Sequence, residues 1–191
     1  MKRAVRRRMT AVRKALPSAA RATRSARIVE FLSASPVFKA AAGVALYAAM
    51  AERGEVDLGE FDLRCRKAGK RVYYPFMDKT AEGHTTGFRL VEDVAAELIP
   101  RGHPFVEPDP TRPAAAPSDV DLIIVPALAA ALTGHRIGSG SGFYDVTLGD
   151  FPNAATCVVI FSFQLLAEVP NEPHDVPCHF VCTDAEFTHA H

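Results

Sequence analysis

Between Gly134 and Asp145 the chain reads Gly-His-Arg-Ile-Gly-Ser-Gly-Ser-Gly-Phe-Tyr-Asp, with Gly138, Gly140 and Gly142 at every second position. Lacking Cβ atoms, such glycines let consecutive backbone N–H groups converge on an anion, and a following helix adds the positive end of its dipole. The run follows an apolar, strand-like stretch from Asp121 to Leu128 and precedes a helix-like one. Arg136 stands before the glycines and Asp145 after them. Together they would make a phosphate cradle with a metal ligand beside it, although the same glycines would also serve a flexible turn. A planar guanidinium at Arg136 binds two phosphate oxygens at once; the plainer alternative is a surface salt bridge of little energetic weight. Asp145 either starts the next helix, an interaction of about 0.3–1 kcal/mol with its dipole, or holds Mg²⁺ against nucleotide phosphates, a task for hard oxygen donors. Asp175 is the candidate second carboxylate.

Other reactive side chains leave two readings each. Glu55, after Gly54 at a strand end, would either solvate a loop or receive N–H donors from a heterocycle. Tyr144 suits packing or stacking. No serine or cysteine nucleophile is placed by sequence beside His135 or His174, so both histidines read as structural. Cys65, Cys157, Cys178 and Cys182 form no C-x-x-C pair. His174, Cys178 and Cys182 recur every four residues, match no zinc spacing and have no evident fourth ligand. Reduced thiols in apolar surroundings fit a reducing cytoplasm.

The chain has 191 residues and no net formal charge, a size for one domain with a substantial core. The charge is uneven: residues 1–40 hold 11 of the 22 Lys and Arg and a single acid, Glu30. A basic arm of this kind binds nucleic acid, targets an organelle, supplies cations to a phosphorylated small molecule, or is a solvated helix face. The lack of aromatic residues among the amino-terminal arginines argues against base stacking there. No apolar core of secretory length follows the arginines, and no run approaches a membrane span. The expectation is a cytoplasmic monomer that takes a small-molecule substrate, with no nucleic acid and no membrane as partner.

Positioning such groups requires a frame. Residues 1–32 predict two helices divided at Pro17-Ser18. Val5, Met9, Val12 and Leu16 form the apolar stripe of the first, with Lys2, Arg6 and Arg13 off it. Residues 43–50 predict a buried strand, Asp57 the N-cap of a helix to about Ala68 that Gly69 stops, and residues 70–77 a strand with Pro75 near its end. A short strand near Phe88 leads into a proline-rich excursion. Residues 120–128 predict a central strand, 143–148 a helix, 156–163 an apolar strand, 164–168 a short helix and 180–183 a last strand. Apolar strands alternating with helices indicate an α/β fold with a parallel or mixed sheet covered on both faces. Ligands of such sheets collect beyond the carboxyl ends of strands, where Glu55, the glycine loop and Pro173-His174-Asp175 would meet.

Taken in order along nearly the whole chain, the motifs resemble the 5-formyltetrahydrofolate cyclo-ligase (methenyltetrahydrofolate synthetase) family. They are Lys2-x-x-Val-Arg6 with Arg13-x-x-Leu16, Gly54-Glu55-Val56-Asp57, Gly69-Lys70-Arg71-Val72 up to Pro75, Phe88-Arg89, Glu107-Pro108, Asp121 to Pro126, the glycine loop through Tyr144-Asp145, and Pro173-His174-Asp175. The glycine loop is the most specific of them.

The resemblance implies a three-layer α/β/α sandwich with a mostly parallel mixed sheet, similar to the sugar-isomerase and CoA-transferase-like fold. Residues 1–191 would form one domain, with the basic helices of residues 1–40 packed on a nucleotide site. It implies ATP-dependent closure of 5-formyltetrahydrofolate to 5,10-methenyltetrahydrofolate, with ATP and Mg²⁺ as cofactors and ADP and phosphate released. Lys2 and Arg6 would reach the nucleotide, and Arg136, Ile137, Gly138, Ser139, Gly140, Ser141, Gly142, Phe143 and Tyr144 would wrap its phosphates. Arg136, Tyr144 and Asp145 would be catalytic, and Asp145 and Asp175 would hold the metal. Met50 and Glu55 would face the folate, together with Ser139, Gly140, Ser141, Gly142 and Phe143. The chain departs from the family pattern at Ala130-Ala131 (often Phe-Asp), Ser139 (commonly Tyr or Arg), Val146 (frequently Arg) and His179 (Asp). Those departures motivate an alternative, a paralogue that binds nucleotide or folate without efficient turnover.

Overall fold

Along residues 122–126 the side chains alternate between two cores. Leu122 and Ile124 enter one with Ile28, Leu32 and Phe61, while Ile123 and Val125 enter the other with Phe88, Leu148 and Phe151. A strand apolar on both faces has to be covered on both, and the architecture follows from that.

The computed structural model describes every residue except 82, 103, 104 and 174. Its helices are α1 (Lys2–Ala15), α2 (Ser18–Ala34), α3 (Pro36–Ala40), α4 (Gly59–Lys67), α5 (Val94–Glu97) and α6 (Phe143–Thr147). Its strands are β1 (Gly43–Ala45), β2 (Arg71–Thr80), β3 (Gly83–Leu90), β4 (Leu98–Pro100), β5 (Val106–Pro108), β6 (Leu122–Pro126), β7 (Ala129–Ala130), β8 (Arg136–Ile137), β9 (Ala155–Val159), β10 (Phe180–Cys182) and β11 (Phe187–His189). Seven strands form one sheet in the order β11-β10-β9-β6-β1-β2-β3. The central pairings are parallel, and the edge pairs β2–β3 and β10–β11 are antiparallel. This is the expected α/β fold with a mixed, mostly parallel sheet. Residues of α2, α3 and α4 cover one face, and the short α6 with the turn after it covers part of the other.

The chain runs from β1 to β2 on one side and returns to place β6 on the other side of β1. Between β1 and β6 the strand order reverses, and beyond the carboxyl ends of strands at such a point a crevice opens. The segments after β1, β6 and β9 therefore converge, as the sequence implied.

Several local expectations give way. Pro75 lies in the middle of the ten-residue β2, not near its end. Strand β1 stops opposite Tyr73, so the edge of β2 at Pro75 has no neighbour there that needs an N–H donor. Strand β1 is also shorter than predicted, because residues 46–50 leave the sheet where the crevice opens. Residues 164–168 form no helix; a 3-10 turn covers Ser162–Gln164. The buried Gln164 amide instead accepts from Phe161 N at 3.0 Å and donates to the carbonyls of Ala127 and Leu128 at 3.2 and 2.9 Å. A side chain that bonds backbone in this way competes with helix formation. Strand β11 went unpredicted. On α1 the inward face holds Met9 and Arg13, whereas Val12 is exposed, so the apolar stripe is broken by a buried cation. Finally, the glycine loop does not follow β6 directly, since the β7–β8 ribbon intervenes.

Candidate active site

The crevice is a cleft of about 840 Å³ lined by α1, the segments after β1 and β6, the glycine loop, residues 170–172 and Asp175. Every site residue singled out from the sequence lines it: Lys2, Arg6, Met50, Glu55, Arg136 through Asp145, and Asp175. They come from four separate stretches of chain.

At one end, Arg6 Nε donates to the Gly138 carbonyl at 3.0 Å. Gly140 has φ +111°, and a Cβ added there would lie 3.5 Å from the Arg6 guanidinium carbon. The glycine thus holds a conformation that L residues rarely adopt and lies close over a cation. Among the described residues, no backbone N–H from Ser139 to Gly142 donates a hydrogen bond within the protein. Those four amides are on the cleft rim and available to an anion. Helix α6 is only five residues long, so amides and cations, not a macrodipole, would supply the attraction. A hydrogen bond to a charged group contributes about 1.5–3 kcal/mol, against a few tenths for so short a helix. Thr147 anchors α6 to the sheet through the Thr86 hydroxyl at 2.8 Å.

The acids beside the loop are already engaged. Arg136 Nη2 donates to Asp145 Oδ1 at 2.7 Å, and its Nη1 donates to the Val176 carbonyl. The Arg136 side chain is 5% exposed, so it carries Asp145 from below instead of standing at the mouth of the loop. Lys2 Nζ lies 2.7 Å from Asp175 and 3.2 Å from Glu172; hydrogen bonding to Asp175 raises the ammonium's pKa. Among the described residues no three His, Cys, Asp or Glu side chains gather to hold a metal. Mg²⁺ ordinarily takes one or two carboxylates and completes its shell with phosphate oxygens and water, and Asp145 with Asp175 is a donor set of that kind. His174 lies outside the described residues.

At the other end the charges are buried. Glu55 accepts from Met50 N at 3.0 Å, and Arg13 Nη2 lies 3.6 Å from Glu55 Oε1. Burial raises the Glu55 pKa, opposed by the Met50 N–H and by Arg13; burial lowers that of Arg13, opposed by Glu55. Between the two ends is Tyr144. Its hydroxyl is buried without a hydrogen-bond partner, and burial raises its pKa, so it stays protonated as a donor. A buried hydroxyl left unsatisfied costs about 1–3 kcal/mol, which a ligand oxygen in the cleft would relieve. Ile137 and Phe143 contribute mainly form: Ile137 packs with Met9 and Leu128, and the Phe143 ring stands edge-on to Tyr144 at 5.0 Å.

Sequence reasoning missed Tyr47, Arg53 and Phe105 among the lining residues. It met Arg13 only as part of a motif, with no reason to bury it. Phe88-Arg89 and Glu107-Pro108 prove to be framework: Arg89 lies over the Phe76 ring at 3.7 Å and pairs with Asp78 at 2.6 Å, while Glu107 accepts from Met77 N at 2.6 Å. Of the departures from the family pattern, only Ser139 lines the cleft. Ala130 and Ala131 are buried in the core, Val146 is exposed, and His179 bonds Thr156 across β9 and β10.

A profile of the 5-formyltetrahydrofolate cyclo-ligase family matches residues 1–184. The 5-formyltetrahydrofolate cyclo-ligase of Mycolicibacterium smegmatis is 44% identical over 77 residues, 40% of either chain. That of Escherichia coli is 31% identical over 136 residues, 70% of this chain and 74% of its own. The NMR structure of Aquifex aeolicus 5,10-methenyltetrahydrofolate synthetase matches with a TM-score of 0.82 at 29% identity, covering 99% of this chain and 92% of that one. A 5,10-methenyltetrahydrofolate synthetase from Mycoplasma pneumoniae shares the fold, with a TM-score of 0.72 at 20% identity over 96% of this chain and 98% of its own.

Proposed function

The chain belongs to the 5-formyltetrahydrofolate cyclo-ligase family, and on that premise we propose that it is an ATP-dependent enzyme closing 5-formyltetrahydrofolate to 5,10-methenyltetrahydrofolate. The observation that carries the reading is the convergence on one cleft of every residue for which the sequence implied a site role. Its two ends differ as a nucleotide and a folate differ, one rich in cations and open amides, the other holding a buried carboxylate.

A formyl oxygen is a poor leaving group. In the proposed reaction it attacks the γ-phosphorus and ADP departs. N10 then attacks the formyl carbon, its proton is lost, and the C–O bond breaks as phosphate carries the oxygen away. The protein's part is positioning and charge neutralisation. Lys2 and Arg6 neutralise phosphate charge, and the amides from Ser139 to Gly142 bind phosphate oxygens. Tyr144 donates its hydrogen bond to a ligand oxygen. Arg136 holds Asp145 in place, and Glu55 receives N–H donors of the pterin beside Met50. Asp145 and Asp175 would hold Mg²⁺, which would neutralise charge on the nucleotide's phosphates.

The family and the names of its relatives support a catalytic protein and lend nothing to a binding-only paralogue. The location of the departures supports the same side, since all but Ser139 lie off the cleft. We read the chain as one domain working as a cytoplasmic monomer; the meeting of stretches from both ends of the sequence in one cleft supports the single domain. No helix among the described residues is long and apolar enough to cross a membrane.

The test is purified protein with folinate, ATP and Mg²⁺, followed by the near-ultraviolet absorbance of methenyltetrahydrofolate and by ADP release. Folinate-dependent signal in both is the expected outcome. No absorbance change together with no folinate binding in calorimetry removes the assignment.

A further inference from the structure

Arg13 has a place that its sequence neighbourhood does not foretell. It sits on α1 four residues after Met9, on the inward face, and is 5% exposed. Its Nε donates to the Arg53 carbonyl at 2.8 Å, its Nη1 to the Ala127 carbonyl at 3.3 Å, and its Nη2 faces Glu55 at 3.6 Å. One guanidinium therefore joins the turn at Ala51–Arg53, the segment after β6 and the carboxylate at the folate end. The turn approaches α1 closely because residue 54 is glycine. With φ +65°, a Cβ there would meet the Arg13 carbonyl oxygen at 2.9 Å.

Helix α1 also carries Lys2 and Arg6 to the other end of the cleft. Lys2 and Arg13 are separated by eleven positions, about 16 Å of helix at 1.5 Å per residue. The five donors of a planar fork point outward to acceptors on three separate segments, whereas an ammonium's three donors radiate from a single atom.

We propose that Arg13 is a positioning residue: it fixes the Glu55 carboxylate and the turn that bears it, so that the carboxylate meets the heterocycle of the substrate in a single orientation. The inference rests on the folate reading given above. Arg13 acts through Glu55, so its loss should be felt by folate and not by nucleotide, even though it stands on the helix that serves the nucleotide. Charged and titratable groups facing Glu55 are Arg13 from α1, Arg53 and Glu52 from its own turn, Tyr47 from the segment after β1 and Tyr144 from α6.

The experiment compares wild type, Arg13→Met and Arg13→Lys by calorimetry with folinate and, separately, with Mg²⁺ and a nonhydrolysable ATP analogue. Arg13→Met should weaken folinate at least tenfold and the nucleotide by less than twofold, with Arg13→Lys falling between it and wild type. Equal losses for both ligands, or undiminished folinate affinity in a folded variant, overturn the proposal. If Arg13→Met does not fold, Arg13→Lys decides: folinate should weaken threefold or more with nucleotide affinity unchanged, and intact folinate affinity is the contrary result. A readout without substrate is the carbon-13 titration of the Glu55 carboxyl. Removing the cation should shift its midpoint upward, and an unmoved midpoint sinks the idea. That titration also separates the two hypotheses, because wild type failing to bind folinate would refute the folate reading while leaving the Arg13–Glu55 linkage measurable.

Discussion

The two ends of the cleft hold their charges in opposite ways. Around the glycine loop the pairs are short and partly wet: Lys2–Asp175 at 2.7 Å with side chains 19% and 13% exposed, and Arg136–Asp145 at 2.7 Å with Asp145 30% exposed. Around Glu55 the pair is longer, 3.6 Å, with side chains 6% and 9% exposed, and burial drives both partners toward their neutral forms. On the proposed reading, the partial exposure of Lys2, Asp175 and Asp145 would let them turn to phosphates and a divalent cation while Arg136 stays in place. Desolvation makes the second set rigid and costly to disturb, since removing one partner of a buried pair costs about 3–5 kcal/mol. On the proposed reading, a highly charged ligand would be met by partly exposed charge, and a largely uncharged ring by a buried carboxylate.

The contrast can be broken most forcefully at the end proposed for the nucleotide. Asp145→Asn should lower turnover a hundredfold or more, about 2.7 kcal/mol of transition-state stabilisation, while leaving folinate affinity within twofold. Steady-state rates beside calorimetry would check it, and a comparable loss of folinate binding would mean that the ends are not separable. At the other end, Glu55→Gln should raise the KM for folinate at least tenfold, about 1.4 kcal/mol, without altering that for Mg·ATP.

A pH series sharpens the difference at lower amplitude. Burial raises the Glu55 pKa, so its anion is lost, as pH falls, above the ordinary glutamate value of about 4.3. Folinate affinity should decline through that raised range, and Glu55→Gln should abolish the dependence. The linked effect on stability has the opposite slope: the raised pKa contributes stability below the ordinary value, which is lost as pH rises through the folded one. Urea unfolding of wild type and Glu55→Gln across acid pH would show it. The smallest effect expected is a gain. Ser139→Arg, on the cleft rim, should tighten Mg·ATP a few-fold and make its binding more sensitive to salt, with a flat response to ionic strength counting against a phosphate-facing loop.

The legibility of the molecule follows the same division. The glycine loop with Arg136 and Asp145 was readable because its meaning is local: spacing and residue type suffice to bring amides, a cation and an acid together. The apolar run at residues 122–126 was readable because strands buried on both faces are apolar throughout. Other features depended on distant partners. Pro75 is tolerated within β2 only because β1 stops short beside it, Gln164 forgoes a helix because two carbonyls after β6 claim its amide, and Arg13 is buried because three acceptors from separate segments await it. None of these is visible in a window of neighbouring residues.

Composition, periodicity and the ordered motifs were thus enough to establish the α/β frame with its mixed sheet, the place of the glycine loop and the family likeness, since each arises from interactions within a turn or along a strand. The closing of the strand order around β1 and β6, the removal of Arg136 from the cleft mouth to a place beneath Asp145, and the pairing of Arg13 with Glu55 were decided by the tertiary structure alone. Their energies come from desolvation and from contacts between residues tens of positions apart, and those exist only once the chain has closed on itself.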